Sequence, residues 1–595
     1  MTKHSIAVLP FVNLSADAEN EYFSDGLTEE IINALAKIDD LKVTSRTSAF
    51  FFKGKDVQIK EIGQQLNVST LLEGSVRLSG KAVRITAQLI QAEGDFHLWS
   101  ETWDRQLDDI FAVQDEISVL IAEKLREQVG HFEIDEHLVS PQTKDLDAYT
   151  LFLKGRYHLN QWNPEDVQKA IEYYQQALTI DPKHANSLVG LADSYSFLAT
   201  CGFISYQEGW EKCAKLTQQA LEIDDRLPAA YYQLANLAFF TEGDFSQALS
   251  LVKRALELNP NHVESLQLIC LLYLLADQEN TARQHLDAVC SVDPLSAETK
   301  FYRGYFHYMQ RDYDQAIVQL EACLEQNPKN IPSHAIKVAC LLMLARLDQV
   351  VTYYDGLPPE IVIPAEKIGS ELLAFALKGN QEQADECLAK LQQEINSEDG
   401  FTADVYLFLY YCQTSQLDAA FRWIEQAVEN RSPLLLIRYA DPLVNPLRSD
   451  TRYATFQQKL FSTEELNSSN TSRKKKSLLD EKSLANYRKK LLGHLENDKP
   501  YLDSKLSLRL LAHQIDIHPN QLSWLLNEGL GSNFNEFINH YRVEAFKMRA
   551  QDPGNAHLTI LGLAYDSGFN SKTVFNTYFK KETGITPRQF LQRLQ

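Results

Sequence analysis

Three rhythms of apolar residues follow one another along the chain. Between residues 5 and 130, short apolar runs surround a helical stripe. SIAVLPF reads as a buried strand, and Phe23, Leu27, Ile31 and Leu35 recur at helical spacing over 21–38. LKVTSR, TLLEGSVRLSG, KAVRITAQLIQ and FHLWSETWDRQ are rich in β-branched and aromatic residues and predict strands, with Ser79-Gly80-Lys81 as a tight hairpin turn. A period near 3.6 returns from Ile110 to Val129 and predicts a closing helix. Asp25-Gly26 reads as a turn or cap, and Trp99 to Trp103 as strand core. The sum is an α/β unit over residues 1–130.

From 145 to 460 the pattern is helical and repetitive. ALTIDPKHA, ALEIDDRLPAA, ALELNPNHVES, VCSVDPLSAET and CLEQNPKNIPS recur, and Pro260, Pro294 and Pro328 lie 34 residues apart, as do Ala248, Ala282 and Ala316. Such a period is that of tetratricopeptide repeats. The alanines, with Ala170, suit close helix crossings; the prolines, with Pro182, stop each second helix. Beyond Pro332 the signature fades to one degenerate repeat around Gly379, Asn380 and Ala384 and another over 417–427. CGFISYQEG lengthens one unit, and 441–460 is expected to cap the last helix pair. Residues 461–480, which include SSNTSRKKKSLLDEK in part, are polar and read as a basic linker.

Residues 481–595 hold one pattern twice: a short amphipathic helix, a turn and a second helix. In the first copy Leu508, Leu511, Ala512 and Ile515 form an apolar face, and Pro519 opens a helix with Leu522, Leu525 and Leu526 inward. Asn520, Gln521, Trp524 and Asn527 are then expected to face outward. In the second copy Ile560, Leu563 and Ala564 support the turn at Gly568, Asn570 or Ser571 caps the next helix, and Val574, Phe575, Tyr578 and Phe579 face the core. Ser571, Lys572, Thr573, Asn576 and Thr577 face away, and Lys580 and Lys581 stand where phosphate contact is natural.

Charge sharpens this reading. The net charge of -22 argues against a polyanion partner, yet from Arg473 onward there are 19 Lys and Arg against 12 Asp and Glu, leaving 39 against 68 for the rest. A basic end on an acidic body fits nucleic-acid binding by that end alone. The eight cysteines contain no CxxC pair and read as free thiols in a reducing compartment. No apolar run reaches the ~20 residues of a membrane span, so a cytoplasmic protein without membrane contact is expected. Neither a phosphate-cradling glycine loop nor HExxH occurs; no catalytic residue, metal or cofactor is assigned.

Two stretches carry family resemblances. VLPFVNLSADAENEYFSDGLTEEIINAL, with LLEGSVRLSGKAVRITAQLIQAEGDFHLWSETWDRQLDDIFAVQDEI, resembles the TolB-like amino-terminal domain found beside helix-turn-helix or adenylate cyclase domains in bacterial regulators. The resemblance implies an accessory or sensing domain. Residues 491–594 resemble the AraC/XylS-type DNA-binding domain, with GF, Phe575, FKK, G and TP in family order. This resemblance implies two recognition helices in successive major grooves, joined by a long helix over 534–550. Trp524 and Thr577 depart from it, standing where arginine is common. The expected architecture is multidomain: a TolB-like α/β domain, an all-α tetratricopeptide-repeat solenoid and an all-α double helix-turn-helix domain. Expected partners are double-stranded promoter DNA and a protein or peptide on the repeats, with RNA polymerase and a second copy of the chain as further candidates. A repeat scaffold with a vestigial DNA domain is the rival reading.

Overall fold

Period-two alternation sorts the first strand between two helical layers. Ile6 and Val8 join the core beneath the longer helices, while Ala7 and Leu9 face a smaller cluster on the other side. The computed structural model describes residues 2–461 and 478–594, apart from 18–19, 95, 108–109, 140–141, 162, 201–202, 396–399, 433 and 556. Most of the expected linker, and Cys201 of the lengthened unit, therefore lie outside the described residues.

The first unit runs β1 (Thr2–Val8), β2 (Val12–Asn13), α1 (Glu21–Ala36), β3 (Lys42–Val43), α2 (Arg46–Phe50), α3 (Ile59–Gln65), β4 (Val68–Ser79), β5 (Ala82–Gln91), β6 (Phe96–Gln106) and α4 (Ile110–Val129). Its sheet has the order β3-β1-β4-β5-β6, with β2 also on β4; β3, β1, β4 and β2 pair in parallel, and β4-β5-β6 is an antiparallel meander. Ser79 pairs with Ala82, so the hairpin loop is Gly80-Lys81. Two expectations need correction. LKVTSR gives only a two-residue strand, because Ser45 caps α2 and its hydroxyl accepts the Ser48 N–H at 3.0 Å. Asp25-Gly26 is no turn but lies within α1, with Asp25 paired to Lys53 at 2.6 Å.

The repeat array consists of helix pairs: α5 (Leu146–Leu159) with α6 (Pro164–Ile180), α7 (Ala185–Thr200) with α8 (Tyr206–Ile223), and α9 (Pro228–Phe240) with α10 (Phe245–Leu258). Next come α11 (Val263–Leu275) with α12 (Glu279–Val292), α13 (Ala297–Met309) with α14 (Tyr313–Gln326), and α15 (Ile331–Met343) with α16 (Leu347–Tyr353). The array ends with α17 (Pro364–Lys378), α18 (Gln381–Glu394), α19 (Gly400–Gln413), α20 (Leu417–Glu429), α21 (Leu435–Ala440) and α22 (Thr451–Leu460). Ala170, Ala248, Ala282 and Ala316 are fully buried. Pro182, Pro260, Pro294 and Pro328 each follow the residue that caps a second helix.

The segment expected to cap the last pair does meet it, with Phe456 stacked on Phe421 and Arg452 bound to Asp418 at 2.9 Å, and it also packs back along the array. The Tyr308 hydroxyl donates to Asp441 at 2.5 Å, Arg311 reaches Asn445 at 3.0 Å, and Phe461 meets Phe245 edge-on at 5.1 Å. Residues 435–461 thus lie against the ends of α11 and α13 and the start of α10, where Leu274, Met309 and Arg448 line a cavity of about 210 Å³. This part of the array is covered by its own chain.

Amino-terminal unit and repeats share one core, in which Leu27, Ile117 and Leu125 join Tyr149, Phe152 and Tyr174. Farther along, the Ser45 N–H donates to the Val292 carbonyl at 2.8 Å, the Ser48 hydroxyl to Asp293 at 2.6 Å, and the Asn261 amide to the carbonyls of Ala36 and Leu41. The array therefore touches the α/β unit through α5 and again through the turns flanking α11 and α12.

The carboxyl-terminal region contains α23 (Glu481–Asn497), α24 (Leu508–Gln514), α25 (Pro519–Trp524), α26 (Phe534–Gln551), α27 (Ile560–Asp566), α28 (Lys572–Thr583) and α29 (Pro587–Gln592). Past α25 the helix continues as a wider π turn over Leu525–Gly529.

Candidate nucleic-acid interface

Two helix pairs, α24–α25 and α27–α28, are joined by α26. Each pair has its own core. Leu508, Leu511, Leu522 and Leu526 pack with Ile538 of α26 in one, and Leu563, Phe575 and Phe579 pack with Val543 and Phe546 of the same helix in the other. Arg542, buried on α26, ties that helix to the segment ahead of α24: its guanidinium donates to the carbonyls of Tyr501 at 2.8 Å and Asp503 at 2.9 Å.

Caps fix where each helix begins. Ser507 accepts the Leu510 N–H at 3.2 Å, His518 the Asn520 N–H at 3.2 Å, Thr559 the Gly562 N–H at 3.0 Å and Ser571 the Val574 N–H at 3.4 Å. Of the two caps left open by the sequence, Ser571 is therefore the one used. Gly584, with φ of 75°, ends α28.

The second pair presents the side expected of it. Lys572, Thr573, Asn576, Thr577 and Lys580 are exposed, and Ser571 is half-buried at the cap. Lys581 is also exposed, but its ammonium is tied to Glu536 of α26 at 2.6 Å, so its charge is partly neutralised. Val574 and Tyr578 are half-buried beside the buried Phe575 and Phe579.

The first pair presents its expected face only in part. Asn520, Gln521, Trp524 and Asn527 are all half-buried. Trp524 leans on the core of its own pair, and the Asn527 amide donates to the Ser523 carbonyl at 2.9 Å. Asn520 is held by the amino-terminal unit: its carboxamide donates to the Ile134 carbonyl at 3.2 Å and accepts the Ile134 N–H at 3.3 Å, and Arg126 also donates to it. For Asn520, periodicity identified a position turned away from its own core but not the tertiary partner covering it; Trp524, expected outward, turns toward that core instead.

Residues 511–593 match the family described as a helix-turn-helix domain. The carboxyl-terminal region is an AraC-type helix-turn-helix domain. Ahead of it, residues 2–120 match the second domain of HilA/YgeH-like transcriptional regulators, and residues 159–184, 228–262 and 298–330 match tetratricopeptide repeats. The chain is similar to putative adenylate cyclase 3 of Rhizobium meliloti, with 39% identity over 39% of this chain and 40% of that protein. It is also similar to the transcriptional regulator HilA of Salmonella typhimurium, with 21% identity over 75% of this chain and 74% of that protein. Among solved structures, a tetratricopeptide-repeat protein of Thermus thermophilus aligns at 18% identity with a TM-score of 0.27, over 33% of this chain and 99% of that one. No helix among the described residues is long and apolar enough to cross a membrane.

Proposed function

We propose that this protein is a cytoplasmic, sequence-specific transcriptional regulator whose AraC-type domain reads double-stranded promoter DNA. The observation that carries the reading is the exposed polar side of α28: a helix capped at Ser571, held from behind by Phe575 and Phe579, and offering Lys572, Thr573, Asn576 and Thr577 to solvent. A helix so presented suits the major groove, where asparagine pairs with the adenine edge and lysine with guanine or phosphate. Lys580 and Lys581 supply backbone contact. With α24–α25 as a second helix-turn-helix unit on the same connecting helix, one chain spans successive major-groove segments of a duplex.

The amino-terminal domain, TolB-like in its wording and HilA/YgeH-like in its match, acts with the repeats as a sensing and protein-interaction module. Because residues 435–461 cover part of the array, a protein or peptide partner uses the repeat surface outside that covered part. The part shared with a putative adenylate cyclase is 40% of that protein's length, and we assign no cyclase activity to this chain.

Selection of duplexes from a random pool by the full chain tests this reading, and recovery of no preferred sequence overturns it. Base and backbone roles separate by substitution. Lys572→Ala or Asn576→Ala should cost about 1–3 kcal/mol on the selected site and relax its sequence preference. Lys580→Ala should weaken specific and random duplexes alike and reduce the salt slope by about 1. Equal losses on specific and random DNA for Asn576→Ala remove that residue from base readout.

A further inference from the structure

The end of α4 is set against the first helix pair with unusual chemical agreement. Glu123 and Glu127, four residues apart and so on one face of α4, both point at α24: Glu123 pairs with Arg509 at 2.7 Å, and Glu127 accepts the Leu508 N–H at 2.8 Å. Between them in sequence, Arg126 is buried and donates to Asn520. At the residue after Glu127, the Gln128 carbonyl accepts from Asn533 at 3.1 Å, and the Gln128 side chain accepts from Asn535 at 2.9 Å. Beyond Gly130, the Ile134 backbone offers one N–H and one C=O to the Asn520 carboxamide.

Each contact stands in for a DNA group. An asparagine that reads adenine gives one hydrogen bond and takes one, and Ile134 supplies that acceptor and donor pair. The supporting helix of a helix-turn-helix unit crosses the phosphate backbone, and on α24 the cation and the leading amide are held by two carboxylates. Asn527 also neighbours this segment: a Cβ added at Gly130 would be in ordinary contact, 3.4 Å, with its side-chain oxygen. Among the described residues, none covers the Ser571–Lys580 side of the second pair in this way.

We propose that the carboxyl-terminal end of α4, with residues 130–134, is an autoinhibitory surface that occupies the first helix pair as a duplex would. The chain then engages DNA through α28 alone until this surface lets go. This inference rests on the DNA-binding reading above and adds its regulation. It is local: the restraint comes from a few groups on α4 rather than from the acidity of the whole body.

The test uses the full chain with Glu123→Gln and Glu127→Gln together, which remove both charges and retain side-chain shape. On the duplex selected above, affinity should rise about tenfold, as when a competent state populated near one-tenth is freed, and the hydroxyl-radical footprint should lengthen by one helical turn. As a check independent of any variant, adding that duplex in excess to the wild-type chain should speed amide hydrogen exchange over residues 126–134. Selective binding with unchanged affinity, footprint and exchange overturns the autoinhibition and leaves the DNA reading standing. Absence of sequence preference in both wild type and variant overturns that reading, and the inference with it.

Discussion

Gly568→Ala is expected to detach the second helix pair from the rest of the AraC-type domain. Gly568 has φ of 92°, a region that L side chains avoid, and a Cβ there would lie 2.1 Å from the Tyr501 carbonyl oxygen and 3.0 Å from Arg542 Nε. The first contact is with backbone and cannot be relieved by a rotamer change. That same oxygen accepts the Arg542 hydrogen bond, so moving it also loosens the hold of α26 on the segment ahead of α24. Strain of about 1–3 kcal/mol from the backbone and about 1–3 kcal/mol from overpacking should add. Gly584 supplies the control, for it has φ of 75° but no atom within 4 Å of an added Cβ; Gly584→Ala should cost only about 1 kcal/mol. Hydrogen exchange over 560–583 in the full chain measures both. If the two variants open that region equally, the close approach at Gly568 contributes nothing.

The connecting helix predicted over 534–550 is found at Phe534–Gln551, and the closing helix of the first unit runs Ile110–Val129 as its periodicity indicates. The closing helix carries a long apolar stripe that local sequence displays, whereas the connecting helix follows from the AraC/XylS resemblance. Other features were illegible for identifiable reasons. The repeats continue past Pro332 more regularly than the proline and alanine signature suggests: Gly243, Asp277, Arg311, Ala345 and Gly379, 34 residues apart, all adopt positive φ in the turn between paired helices. Glycine marks that conformation in sequence, whereas Asp, Arg and Ala in the left-handed region do not announce it. The fold of residues 435–461 back onto α11 and α13 depends on partners more than a hundred residues away, Tyr308 with Asp441 among them.

The same limit applies to the candidate site. The polar side of α28 was legible because nothing among the described residues covers it. Asn520 satisfies the same periodicity on α25, and its burial is decided by Arg126 and Ile134, almost four hundred residues away in sequence. Helical spacing reports which side of a helix faces away from its own core. Whether solvent, DNA or another domain meets that side is a tertiary matter.

Arg156→Ala should produce the largest loss of stability in the amino-terminal half. Arg156, on α5, donates to Glu30 at 2.7 Å and to the Gly26 carbonyl at 3.3 Å, and lies 3.4 Å from Glu29. All three charged side chains are largely buried. Burial by itself lowers the guanidinium pKa, but Glu29 and Glu30 more than offset this and hold it above the ordinary arginine value. Truncation leaves two neighbouring carboxylates without their main buried cation, although Arg46 still reaches Glu29 at 3.1 Å. Breaking such a buried pair costs about 3–5 kcal/mol, and Gly26, where an added Cβ would lie 2.8 Å from Leu153, brings α1 and α5 too close for water to compensate readily. Because the core there joins the α/β unit to the repeats, the loss should appear as faster exchange in both α1 and α5. Glu30→Gln combined with Arg156→Met, which removes one buried charge of each sign, should recover more than half of it. Opening confined to α5, or a cost below about 1 kcal/mol, would show that the ion cluster does not join the two units.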